Sequence, residues 1–337
     1  MLVYVLVLIW LIFLIIFIKK RNIFLGIIPI FLLMVLKEPT GPDYNAYANH
    51  FTAAKDKTIL EMASYKGEIG FHTLIKGLTL LTDNFQWLFV ATSVIILVCI
   101  AIFFQKNSSD KQLALFFYFT LGIFAFTMAG LRQAVAMAIC LFAYEEIKKK
   151  RFFRFMLVIS IAFLFHQSAV FFIPAYFIGR MKWNIITSFM FVTFYMLSIF
   201  SIESIINLVN FNLGYGYEVE YSETGIIYFF ILLGITLLSL LCRKQIIHAN
   251  INNQIFINLQ IFVLLLWSLR LLSRTVERPA FYYLFASVII LEQTISSIKD
   301  KKVRTVLYLS TILLAAVLFL YRAERDINLT PYYFIWG

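Results

Sequence analysis

The run FQWLFVATSVIILVCIAIFF, residues 85–104, carries no charged side chain. A helix rises about 1.5 Å per residue, so roughly twenty apolar residues make one bilayer crossing. Similar runs lie on both sides of it, at 2–18, 23–36, 112–129, 133–147, 184–200, 224–242, 254–272, 279–296 and 305–321. Of 337 residues, 62% are apolar and 14% charged, against roughly 45–50% and about 25% in a soluble domain. The chain is therefore expected to be an all-α polytopic membrane protein with one transmembrane domain over 1–337. The first run lacks a basic n-region before it and a small-residue cleavage site, so it is read as a retained span and not a signal peptide.

Composition removes several classes. Cys99, Cys140 and Cys242 have no paired spacing, which argues against a disulfide scaffold or a zinc site. A net charge of +11 would point to nucleic acid in a soluble domain; here it reports cytoplasmic loops, and no nucleic-acid partner is expected. Walker A, GxGxxG, DxD and HExxH patterns are absent, so no metal or cofactor is expected and any donor must carry its own leaving group.

Lysine and arginine placement sets the orientation. Lys19-Lys20-Arg21, Lys106 with Lys111, Lys148–Arg151 with Arg154, Arg243-Lys244 and Lys299–Arg304 read as cytoplasmic. The apolar stretch 152–179, broken by His166-Gln167-Ser168 and Pro174, decides parity. If it crosses once, the later basic clusters fall outside. If it turns back near His166, every cluster falls inside. A broken helical hairpin with His166 at its outer tip is therefore expected, giving about twelve segments with both termini outside. In that arrangement 18 of the 29 Lys/Arg but only 5 of the 18 Asp/Glu face the cytoplasm.

The external side then holds a long loop at 37–84 and an acidic loop at 201–223. The first includes Pro39–Tyr47, with a turn expected at Thr40–Asp43, and a semi-apolar stretch Ile69–Leu81 read as an interfacial helix. The second holds Glu203, Glu218, Glu220 and Glu223. These glutamates read as a solvated loop, since a hard-cation site needs more convergent oxygens than the pattern guarantees.

Several side chains on that side invite chemistry. Arg132, between two apolar runs, costs several kcal/mol at membrane depth unless paired or hydrated, which makes it a functional candidate; the alternative is an anchor snorkelling to head groups. Arg270, Arg274 and Arg278 recur every four residues. Pro279 argues against one continuous helix, so Arg270 should end a span, Arg274 sit in the turn and Arg278 start the next. Their planar forks suit a phosphate; the plain alternative is flanking charge neutralised by Glu277. His166 could act as a base or merely satisfy freed backbone groups. Asp43 is the alternative carboxylate base, or a helix cap, with Tyr44 and Tyr47 placed to stack on sugars. Glu61, Glu68 and His72 would share one solvated face of a continuous helix, and His50 and His248 read as loop residues.

Arginines near the acyl boundary, aromatics, a carboxylate and a histidine together suit glycosyl transfer from a lipid diphosphate. The motifs Gly41-Pro42-Asp43-Tyr44 with Tyr47, Gly67–Phe71, Gly130–Ala136, Lys149–Phe152, Phe165–Ala169 with Pro174, Arg278 with Tyr282-Tyr283, and Pro331–Phe334 resemble the EpsG-like branch of the Wzy bacterial polysaccharide polymerases. Proline after Gly41 departs from the family's usual threonine. The resemblance implies a bacterial cytoplasmic-membrane enzyme joining undecaprenyl-diphosphate-linked oligosaccharides at the outer face into exopolysaccharide, capsule or O-antigen. It implies His166 as base, Arg132 and Arg270, Arg274 and Arg278 on the diphosphates, and Tyr44, Tyr47, Glu68, Gln133 and Tyr282 toward the sugars. Membrane lipids, a flippase and a chain-length regulator would be its partners. An O-antigen-ligase-like transferase is the nearest alternative. A lipid-linked oligosaccharide flippase or transporter would need midplane charges and internal repeats, which the sequence does not present.

Overall fold

The computed structural model describes residues 1–18, 22–38, 43–63, 68–213 and 225–336. Helices dominate, and the pairing of Lys37 with Phe334 is an isolated antiparallel bridge. The chain divides into two compact units. The first comprises Met1–Tyr144, Met156–Ala169 and Lys299–Gly337; the second comprises Glu145–Phe155 and Val170–Ile298.

The first unit is built on apolar helices Leu2–Phe13, Phe24–Leu36, Gln86–Asn107, Lys111–Thr120, Ile123–Ala129, Leu131–Cys140 and Lys301–Ala323. Its interior is rich in phenylalanine, with Phe104, Phe116, Phe117, Phe119 and Phe124 fully enclosed. Its last helix turns the opposite way. Val303, Val306, Leu309, Leu313, Leu314 and Val317 lie at helical spacing on one face and are all exposed. Such a stripe would be a large unsatisfied apolar patch in water and is the ordinary lipid-facing surface of a membrane helix.

Among the described residues three helices are long and apolar enough to cross a bilayer, Gln86–Asn107, Asn253–Arg270 and Lys301–Ala323, and up to seven spans result if four sharply bent pairs each count as one. The expected twelve exceeds this. Leu2–Ile18, Phe24–Leu36, Phe152–Phe165 and Gln167–Gly179 are apolar but short, and the run 133–147 is divided between Leu131–Cys140 and Ala143–Lys148. Apolar sequence continues through such breaks because composition does not register where the backbone ladder stops.

The 37–84 segment departs most from its reading as a loop. It holds helices Tyr44–Lys55, Ile59–Ala63 and Ile69–Thr79. Tyr47, Phe51, Ala54, Met62, Phe71 and Ile75 form a cluster with Leu88 and Leu131, so these helices have a core of their own. Lys76 reaches back to cap the helix Tyr44–Lys55, its ammonium donating to the carbonyls of Ala54 (2.9 Å) and Lys55 (3.2 Å). Glu61 is not on a shared face with Glu68. It closes a local box with Thr58, accepting from the Thr58 amide at 2.6 Å. The Thr40–Asp43 turn involves residues outside those described, Asp43 excepted.

In the second unit residues 152–155 and 170–179 pack together. The Phe152 ring meets Tyr176 at 5.1 Å, and Phe155 meets Tyr176 at 5.2 Å and Phe172 at 6.4 Å. The helix Phe152–Phe165 ends at His166, a 3-10 turn follows over Gln167–Phe172, and Pro174 begins the return helix Pro174–Gly179. The side-chain amide of Asn258 caps that return, donating to the carbonyls of Ile178, Gly179 and Met181. Gln260 joins three helices by donating to the Leu232 carbonyl and the Thr236 hydroxyl and accepting from Ser287 at 2.6 Å. Such interhelical polar bonds hold helices together where lipid supplies no hydrophobic drive. The first part of the expected acidic loop is also helical, over Ile202–Leu213 with Glu203 in its first turn; Glu218, Glu220 and Glu223 lie outside the described residues.

Candidate active site

The first unit gathers Glu68, Arg132 and His166, which are far apart in sequence, around one carboxylate. Glu68 Oε2 accepts from Arg132 Nη1 at 2.5 Å, and Glu68 Oε1 meets His166 Nδ1 in a short contact. Each element delivers its side chain for a local reason. Arg132 stands in the first turn of Leu131–Cys140, which starts at Gly130. His166 is where the helix Phe152–Phe165 stops, its amide still bonded to the Ala162 carbonyl. Glu68 immediately precedes Ile69–Thr79, and its carbonyl receives the amides of Phe71 and His72.

Glu68 adopts a left-handed backbone, φ 62° and ψ 35°. That conformation costs an ordinary residue about 1–2 kcal/mol, and such strain persists only where its surroundings enforce it. Gly70 shows part of the enforcement. A Cβ at Gly70 would stand a tight 3.1 Å from the Leu164 carbonyl oxygen and from Phe165, so glycine eases the close approach of this helix start to the end of the His166 helix.

Glu68 is 7% exposed and His166 is 4% exposed, whereas the Arg132 side chain is 35% exposed. Burial by itself would raise the Glu68 carboxyl. The hydrogen bond and charge of His166, with the Arg132 guanidinium, outweigh it and hold the group below the ordinary carboxylate range. The ionised form of Glu68 is thereby favoured, and its two oxygens are shared between Arg132 Nη1 and His166 Nδ1. Tyr47 completes the wall beneath Arg132, whose guanidinium carbon lies 5.8 Å from the ring centroid.

Two more histidines converge here. His72 follows Glu68 by one helical turn and is 4% exposed, not solvated as the sequence reading had it. His50, expected in a loop, is on the helix Tyr44–Lys55 and packs its ring on His72 at 5.4 Å. Burial pushes both imidazoles below their ordinary pKa, helped by the charge of Arg132 and opposed by Glu68. Of the chain's four histidines, only His248 lies in the other unit. The sequence signal that could have found this centre is a glutamate enclosed by glycines, Gly67-Glu68-Ile69-Gly70. That pattern marks a carboxylate whose backbone placement is special.

The other expected residues are placed as follows. Asp43 is exposed at the start of Tyr44–Lys55, with no cap bond from its side chain. Tyr44 is half-buried with its ring edge-on to Phe85 at 5.5 Å. Tyr47 and Gln133 are buried, and Tyr282 is enclosed in the second unit against Phe172, so these three show no open face for a sugar to stack on.

The arginine triplet follows the expected break and then divides. Arg270 ends Asn253–Arg270, Arg274 opens a 3-10 turn, and Arg278 is in the short helix Glu277–Phe281 with Pro279. Arg274 and Arg278 are exposed. Arg270 is 4% exposed, and its Nε and Nη2 donate to Glu277 Oε2 at 3.1 and 3.0 Å. Its guanidinium also lies against Gly225, at φ 107°, where a Cβ would stand 2.7 Å from Nη1. For Arg270, the pairing with Glu277 describes the contacts observed. Among the described residues no group of three or more His, Cys, Asp or Glu side chains has the arrangement to hold a metal ion.

The EpsG family model matches residues 22–334 of the chain. No curated protein and no solved structure matches it.

Proposed function

The chain belongs to the EpsG family, the family of Wzy-type polysaccharide polymerases, and from that premise we propose that Glu68, His166 and Arg132 form the active centre of a membrane glycosyltransferase that polymerises undecaprenyl-diphosphate-linked oligosaccharides at the outer face of the bacterial cytoplasmic membrane. Membership carries the coarser statement, that this is a membrane protein of polysaccharide biosynthesis. The single observation supporting the chemistry is the shared carboxylate, with Glu68 on both His166 Nδ1 and Arg132 Nη1.

A carboxylate on Nδ1 fixes the imidazole's tautomer and steadies the imidazolium that forms when Nε2 accepts a proton, as in the carboxylate–histidine pairs of hydrolases. In the proposed reaction the acceptor hydroxyl oxygen bonds to the anomeric carbon of the donor glycan. Its proton passes to His166 Nε2. The bond from the anomeric carbon to the diphosphate oxygen breaks, and the electron pair leaves with the diphosphate. Arg132, the most open of the three side chains, lies where an anion can approach and stabilises that developing charge. The exposed Arg274 and Arg278 remain proposed diphosphate contacts of the second unit. The pairing of His166 with Glu68, which exposed Asp43 lacks, favours the histidine as the base.

Purified protein in liposomes, given lipid-linked repeat units and no energy source, should form long glycan with release of lipid diphosphate. His166→Ala should lower the rate by about 10²–10⁴-fold, the usual worth of a general base; because His166 is buried against Glu68, the rates are compared below the variant's own melting temperature. Wild-type rates from that variant would remove His166 from the chemistry; no glycan from the wild-type protein would sink the polymerase reading.

A further inference from the structure

The second unit concentrates positive charge that the proposed chemistry does not use. From Ile147 to Ile202 the sequence contains no aspartate or glutamate, but seven lysines and arginines. Six of them, Lys149, Lys150, Arg151, Arg154, Arg180 and Lys182, are exposed on this unit. Of the acids just before the run, Glu145 is engaged by Lys148 at 2.8 Å and Glu146 is half-buried.

The six come from two segments well apart in sequence, and packing joins the segments. The Phe152 ring meets Tyr176 at 5.1 Å and Phe177 at 6.0 Å, and the Arg180 guanidinium carbon lies 4.9 Å from the centre of the Tyr176 ring. Asn258 holds the later segment, its amide donating to the Gly179 and Met181 carbonyls, at 3.1 and 2.8 Å, on either side of Arg180. Its oxygen accepts from Trp183 Nε1 at 2.8 Å. In the earlier segment the chain turns at Lys150, whose backbone is left-handed, φ 58°. Glycine adopts that conformation without strain, so a lysine there keeps a cation where local geometry does not ask for one.

Apolar side chains stand among these cations. Phe153, between Arg151 and Arg154, is 87% exposed, and Phe177, close to Arg180, is 60% exposed. A soluble acidic partner would satisfy the charges and leave the rings to be covered separately. A membrane boundary meets both needs at once, because rings enter the acyl region while long cationic side chains rise to the phosphates.

We propose that this face of the second unit is a seat for anionic phospholipid, with the six cations on the phosphates and Phe153 and Phe177 among the acyl chains. A basic cluster beside a membrane surface draws anionic lipid in this way. The inference goes beyond the polymerase reading and does not depend on it.

Spin-labelled phosphatidylglycerol and phosphatidylcholine test this, each added in trace to full-length protein in phosphatidylcholine vesicles. The wild-type protein should hold phosphatidylglycerol at least about fivefold more tightly, the worth of a single cation at a membrane surface. Added salt should reduce the preference, since it screens exposed charge. Lys149→Gln, Arg154→Gln and Lys182→Gln together should remove most of the preference and leave phosphatidylcholine binding unchanged; all three side chains are exposed, and the Arg180 contact with Tyr176 is spared. Lys182→Glu, a single exposed reversal, should weaken it in the same direction and stands in if the triple variant misfolds. Lys301→Gln, Lys302→Gln and Arg304→Gln together, the same charge taken from the first unit, should leave the preference nearly whole. Equal binding of the two lipids by wild-type protein, or equal losses in the two triple variants, overturns the seat. Displacement of the labelled phosphatidylglycerol by soluble polyglutamate overturns the lipid assignment and gives the face to an acidic protein segment.

Discussion

Arg132 in the first unit and Arg270 in the second are both paired to a glutamate, and their surroundings separate them. Arg132 shares Glu68 with an imidazole and keeps a third of its side chain open. Arg270 is enclosed, with Trp267 at 5.8 Å, Gly225 against its fork and Glu277 on two of its nitrogens. The same ion pair can thus be chemistry or architecture. An arginine that can meet a substrate anion must keep part of its fork free of the protein, and its carboxylate must have a second task. Trp267 also donates to the Gly225 carbonyl at 3.2 Å, so the Arg270 pair sits in a cluster that secures the start of Ile226–Leu241.

The largest contrast should come from Arg270→Met. Removing one partner of a buried pair costs about 3–5 kcal/mol. The Glu277 side chain is 26% exposed and can rehydrate in part, so the loss should lie near the lower end of that range. Thermal unfolding in detergent should show it, and a variant as stable as the parent would place Arg270 with the functional arginines.

Arg132→Lys should do the reverse. The charge is kept but the fork is lost, and one donor aimed at developing charge is worth about 10²–10³ in rate. A loss of about a hundredfold in glycan synthesis is expected at unchanged melting temperature. Near-parental rates would break the distinction drawn between the two arginines.

A smaller effect is expected from pH. The Glu68 carboxyl is held low when folded, so its contribution is full above the ordinary carboxylate pKa and is lost as pH falls through the lower folded value. His50 and His72 are also lowered from 6.5, so their contribution is full above that pH and fades as pH drops through their folded values. The first unit should therefore begin to lose stability below pH 6.5, and His50→Gln combined with His72→Gln should shift the onset toward the carboxylate range. Melting temperature followed from pH 8 to pH 4 checks both; an onset unmoved in the double variant would show that the histidine pair does not titrate with unfolding.

The smallest change belongs to Asp43→Asn. An exposed carboxylate outside the Glu68 bridge should alter glycan synthesis by less than about threefold, since surface substitutions typically stay within about 0.5 kcal/mol. A hundredfold loss would restore Asp43 as the base.

The sequence by itself determined the solvent and the punctuation. Twenty uncharged, mostly apolar residues at 85–104 read as membrane helix because lipid rewards them independently of their neighbours, and Pro279 divided Arg270 from Arg278 because a ring on the backbone nitrogen acts locally. His166 stood out because a polar residue breaking a long apolar run is visible in one dimension. The family, too, was legible in local motifs such as Gly130–Ala136. Tertiary structure alone decided that Glu68 is buried and bridges Arg132 to His166, that His50 and His72 belong to the same centre, and that the described helices within 37–84 pack on one cluster. Those facts depend on which segments meet across 64 and 98 residues of chain. Burial and charge neutralisation are properties of that meeting, and residue spacing along a single strand of text does not encode them.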